Sequence, residues 1–70
     1  MTKEVFLNKL EEVLEIDQLT ETSLIELNSM QTLGIIVFAD ENFNKQFKTT
    51  DLDSIKSVSD LILLIDITFD

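Results

Sequence analysis

Residues 28–43, NSMQTLGIIVFADENF, admit two readings, and the choice between them decides the fold. The segment Leu33-Gly34-Ile35-Ile36-Val37-Phe38 carries three consecutive β-branched residues, the composition of a buried strand. Taken alone, it predicts a strand followed by an acidic loop. A lone strand, however, leaves its backbone groups unpaired, and no second segment of this chain offers a convincing partner. Met30, Leu33, Ile36, Val37 and Phe43 also fall near one helical stripe. The stretch therefore predicts a helix over about residues 30–43, buried on more than one side in its middle. Gly34 lowers its intrinsic stability by about 1 kcal/mol relative to alanine.

Upstream, Thr2 precedes apolar residues at steps of three and four, namely Phe6, Leu10, Val13 and Leu14, with Val5 and Leu7 beside them. Lys3, Glu4, Lys9, Glu11, Glu12 and Glu15 occupy the other face, which predicts an amphipathic helix of about three turns. Between residues 16 and 28 the periodicity breaks down. Asp17, Thr20, Thr22, Ser23 and Asn28 compete for backbone hydrogen bonds there, while Ile16, Leu19, Leu24, Ile25 and Leu27 supply apolar anchors. This is a long loop pinned to a core rather than a linker.

Downstream, a turn carrying Phe47 leads to one short helical turn near residues 49–55, capped by Thr49 or Thr50. Ser57-Val58-Ser59-Asp60 resembles a capping box and opens a last helix through Leu61, Ile62, Leu64 and Ile65. The sequence leaves open whether the alternating tail Ile67-Thr68-Phe69-Asp70 packs or frays. The expected core comprises Phe6, Leu10, Leu33, Val37, Phe38, Phe43, Leu61 and Ile65. The architecture expected is all-α: one domain over residues 1–70, a small bundle of three main helices, one short helix and a long first loop.

Composition excludes much of chemistry. The 70 residues contain neither cysteine nor histidine, so disulfides, thiol nucleophiles, Cys/His zinc sites and imidazole bases are absent. None of the five lysines has a spacing that places it beside Ser29, and a self-contained hydrolase is not expected; the chain does not read as an enzyme. Fourteen acidic against five basic residues give a net charge of -9, which repels nucleic acid and anionic membranes and calls for partners with basic patches. A hydrophobic fraction of 44% is enough for a core, so the acidity is not that of a disordered tail. No apolar run approaches the roughly 20 residues needed to span a bilayer. A soluble, cytoplasmic monomer without stable membrane insertion is expected.

That leaves Ser29. A serine opening a helix is commonly its cap, satisfying a free N-H of the first turn. The surrounding order, Leu27-Asn28-Ser29-Met30, then Leu33, Ile36-Val37, Asp40-Glu41 and Phe43, resembles the signature of acyl and peptidyl carrier proteins. The resemblance extends over essentially the whole chain, including Ser57-Val58 where the family opens its fourth helix with Thr-Val or Ser-Val. It implies a helical carrier whose serine, at the start of the second helix, is esterified to 4'-phosphopantetheine by a phosphopantetheinyl transferase. Ser29 is then the attachment site. Further partners implied are acyl- or aminoacyl-activating and transferring enzymes that dock basic residues near Asn28, Met30, Asp40 and Glu41.

The chain departs from the family pattern in several places. The glycine of the usual Leu-Gly-Xaa-Asp approach is missing, which is closer to the aminoacyl and D-alanyl carriers. Asn28 replaces an aspartate, Gln31 stands at an often acidic position, and Gly34 replaces a frequent glutamate. The thinned charge points to a dedicated pathway rather than general fatty-acid synthesis, with the cargo open between acyl and aminoacyl groups. The alternative is an unmodified acidic helical interaction module of the same fold, in which Ser29 merely caps the helix.

Overall fold

A computed structural model describes all 70 residues. Helix α1 spans Lys3–Leu14, α2 spans Ser29–Phe43, a 3₁₀ turn spans Thr49–Leu52, and α3 spans Val58–Ile65. The chain is thus a small all-α bundle with three helices, one short helical turn and a long first loop. The apolar run of residues 33–38 is helical. Strand-like pairing is confined to one isolated antiparallel bridge between Leu24 and Ser57. Around it, Ile25 N donates to the Lys56 carbonyl at 2.9 Å and Val58 N to the Ser23 carbonyl at 3.0 Å.

Each helix starts where a short polar side chain can satisfy its first turn. Thr2 Oγ1 accepts from Val5 N at 3.2 Å, and Ser57 Oγ accepts from Asp60 N at 3.2 Å. Asp60 reaches back past the cap, accepting from Lys56 N at 3.0 Å, so the box at α3 is one residue wider than the usual motif. Neither Thr49 nor Thr50 caps the 3₁₀ turn. Lys48 holds the cap position, and its N-H is satisfied by Asp51 Oδ2 at 2.7 Å, an acidic group returning from inside the turn.

The core is formed by Phe6, Leu10 and Leu14 of α1, Ile35, Phe38 and Ala39 of α2, and Val58, Leu61 and Ile65 of α3, with Leu19, Ile25, Leu52 and Ile55 from the connections. Five of the eight expected core residues are buried, and Phe43 is half-buried against them. Leu33 and Val37 are not core. Packing on α2 is centred on Ile35 and Ala39, which turns the Leu33–Val37 side of the helix to solvent at 57% and 53% exposure. The β-branched run thus supplies both a buried face and an exposed one.

At Gly34, α2 packs directly against Val13 of α1. A Cβ added there would lie 3.0 Å from Val13 Cγ1, so the residue that weakens the helix intrinsically also lets the two helices approach.

The long loop is anchored by Leu19 and Ile25, whereas Leu24 faces solvent at 84% exposure. Glu11 Oε2 accepts from Leu19 N at 2.8 Å, Ser59 Oγ donates to the Glu21 carbonyl at 2.6 Å, and Lys3 forms an ion pair with Glu21. These contacts tie the loop to α1 and α3. The C-terminal tail packs: the Phe69 ring lies 5.4 Å from that of Phe6, which also meets Phe38 at 5.7 Å and Phe43 at 6.2 Å. Such tilted aromatic pairs add to the burial of the rings themselves. No helix is long and apolar enough to cross a membrane.

Candidate functional site at the start of helix α2

The residue that caps α2 is Asn28, not Ser29. Asn28 Oδ1 accepts from Gln31 N at 2.8 Å, and Gln31 Oε1 accepts from Asn28 N at 3.0 Å, a complete capping box. Thr32 contributes a further local bond, its Oγ1 donating to the Asn28 carbonyl at 3.0 Å. Ser29 occupies the first helical position, is exposed, and takes no part in these bonds. The role that a helix-opening serine commonly has is already filled by its neighbour. Ser29 is therefore not the cap of α2; Asn28 is.

The Gln31 side chain has a second attachment. Its Nε2 donates to the Leu14 carbonyl at 2.9 Å, linking the first turn of α2 to the last turn of α1. One neutral amide therefore satisfies an orphan donor at one helix end and an orphan acceptor at another. Asn28 and Gln31, which the sequence suggested as positions where docking charge had been removed, are structural residues here. Asn28 remains exposed, but its side-chain oxygen is committed to the cap.

Ser29 borders an open depression of about 390 Å³ lined by Leu27, Asn28, Thr32, Leu33, Thr49 and Asp53. The long loop supplies Leu27 and the chain around the 3₁₀ turn supplies Thr49 and Asp53. A second depression, of about 310 Å³, lies on the α1 side and includes Met30, Gln31, Gly34 and Val13. The serine end of α2 is thus flanked by hollows on two sides.

Helical geometry explains which site residues belong together. At about 100° per residue, Ser29, Asp40, Leu33, Val37, Met30 and Glu41 fall in one arc of about 120°, opposite the buried Ile35. Met30 is 82% exposed, and Asp40 and Glu41 are exposed as well. Asp40 is 11 positions beyond Ser29, about 16 Å along the axis at the usual helical rise. The structure brings Asn28, Ser29 and Met30 together at one end of this face and places Asp40 and Glu41 at the other. Between them lie Leu33 and Val37, whose exposure the sequence reading missed.

No family model, curated protein or solved structure matches the chain.

The helix end itself contributes partial positive charge, in a surrounding that also holds Asp53, Glu12 and Glu15. The first-turn N-H groups of a helix carry partial positive charge, and α2 has no acidic residue in its first turn to neutralise it. An anionic group attached to Ser29 Oγ would meet this favourable end of the helix dipole. An exposed hydroxyl, a helix N-terminus and an open hollow that Asp53 also lines thus meet at Ser29.

Proposed function

We propose that the protein is a carrier, bearing 4'-phosphopantetheine on Ser29 and presenting an acyl or aminoacyl group to partner enzymes. When attached, the arm supplies the thiol that holds this cargo as a thioester. The chain supplies an exposed hydroxyl, an anion-stabilising helix end and a recognition face. The observation that carries the reading is the division of labour at α2: Asn28 and Gln31 close the cap, and the adjacent Ser29 is left exposed. Because the cap does not use it, the Ser29 hydroxyl is free to act as an acceptor.

The face shared by Met30, Leu33, Val37, Asp40 and Glu41 is the proposed docking surface. Exposed apolar side chains in a row are costly to leave in water and are typical of surfaces covered by partners. A partner would lay apolar contacts beside Ser29 and a basic group against Asp40 and Glu41 farther along. The acidic residues favour a fast, steered encounter, as does the net charge of -9. The partners implied are a phosphopantetheinyl transferase and activating or transferring enzymes of a dedicated pathway in the cytoplasm, acting on the carrier as a monomer.

The test is the intact mass of the protein after incubation with coenzyme A, magnesium and phosphopantetheinyl transferases, beside Ser29→Ala. The wild type is expected to gain one phosphopantetheine unit and Ser29→Ala none. Failure of the wild type with every transferase tried, including those of the native source, overturns the carrier reading. It would leave an acidic module that uses the α2 face for protein contacts alone.

A further inference from the structure

We infer that Gln31 is a positioning residue for the modification of Ser29, acting through both ends of its side-chain amide. This inference rests on the reading of Ser29 as the modified residue. In that reaction Ser29 Oγ forms a new bond to the pantetheine-side phosphorus of the coenzyme A pyrophosphate. The bond from that phosphorus to the bridging oxygen breaks, adenosine 3',5'-bisphosphate leaves, and the hydroxyl proton passes to the transferase or to water. The step requires the serine to be held at a defined place relative to the surface on which the transferase sits.

Ser29 is the first residue of α2, where helices fray, while Leu33 and Val37 are rooted in the interior of the same helix and Asp40 and Glu41 lie in its last turn. The first turn must stay wound for the hydroxyl to keep its register with that face. Gln31 serves this purpose with Oε1, which accepts from Asn28 N at 3.0 Å, on the residue just before the serine. Its Nε2, donating to the Leu14 carbonyl at 2.9 Å, fixes which way the amide points and ties the turn to α1. A glutamate could make the first bond but not the second, because an ionised carboxylate donates no hydrogen bond and would face the Leu14 carbonyl oxygen. Aliphatic side chains could make neither. The position is therefore specific for an amide that is long enough to span both helix ends.

Gln31→Glu and Gln31→Met are compared with wild type in steady-state transfer kinetics, well below the unfolding transition of each. Amide hydrogen exchange of Asn28, Gln31 and Thr32, the hydrogen-bonded amides of this turn, in the unmodified proteins is the second readout. Both variants are expected to lower kcat for modification by about tenfold with little change in KM, as misplacement of a reacting atom predicts. Exchange in the first turn of α2 should accelerate by a similar factor while the interior of the helix is unchanged. A residue important only for global stability would lower the melting temperature and leave kcat of the folded protein alone. Wild-type kcat together with wild-type exchange in Gln31→Glu overturns the inference while leaving the carrier reading intact. An unmodifiable wild type overturns the carrier reading, and with it the inference.

Discussion

Asn28 and Ser29 are adjacent, polar and exposed, yet the structure gives them opposite dependences. Asn28→Ala removes the acceptor for Gln31 N and is expected to cost about 1 kcal/mol of stability, measured by chemical denaturation. Ser29→Ala removes a hydroxyl outside the cap and is expected to change stability by no more than about 0.5 kcal/mol, the usual range for surface sites. A loss at Ser29 equal to that at Asn28 would return the serine to a structural role. The same asymmetry makes Ser29→Ala a clean control for modification, since it removes the acceptor atom from a protein that is otherwise folded. In the core the scale is different. Phe6 is fully buried and touches three other rings, so Phe6→Ala is expected to cost about 3–5 kcal/mol. That is comparable with the whole stability of a domain this size, about 4–10 kcal/mol, and circular dichroism should report a largely unfolded chain.

Among the elements, α2 shows what a sequence discloses and what it withholds. That a helix runs from about residue 30 to 43 was legible, because an unpaired strand is not viable in a chain with no partner for it. Its orientation was not. The run Leu33-Gly34-Ile35-Ile36-Val37-Phe38 is apolar all round, and periodicity cannot select a buried side when nearly every position would be content inside. Tertiary packing made the choice by setting Gly34 against Val13 and Ile35 into the core. The capping role of Asn28 was written in the Asn28-x-x-Gln31 spacing, an N-cap residue followed three positions later by glutamine. The bond from Gln31 to Leu14 is long-range and left no local signal.

The α1–α2 contact also makes a quantitative prediction. Gly34→Ala should gain helix propensity of about 1 kcal/mol but press its methyl group on Val13, whose χ1 is stiff in a helix. In a Val13→Ala background the same substitution is expected to be more stabilising than in wild type. A double-mutant cycle showing no coupling would mean that the close approach carries no steric constraint.

For the molecule as a whole, charge is the dominant imbalance. With a net charge of -9, the folded state holds like charges together, and Lys3–Glu21 is its one ion pair between side chains. Self-repulsion of this kind weakens when added salt shortens the Debye length. Raising sodium chloride from 50 to 500 mM is expected to increase the melting temperature by about 5 °C, equivalent to roughly 1 kcal/mol at this size. A fall in melting temperature would show that favourable ion pairs outweigh the repulsion. The same salt should slow association with a basic partner, so stability and encounter rate are expected to move in opposite directions.

The packed tail has a consequence for the connectivity of the chain. Asp70 N donates to the Met1 carbonyl at 3.3 Å, and Asp70 Oδ2 meets the Met1 ammonium at 3.0 Å. Residues 1 and 70 are therefore neighbours, and the backbone traces an almost closed ring. Joining them through a few glycines and reopening the ring at exposed Thr22 is expected to give a circular permutant with the same helical spectrum. The new ends would emerge from the long loop, leaving Phe69 sealed over Phe6 by a covalent bridge. The permutant would offer a second place from which to tether the domain to a neighbour, with the α2 face unaltered.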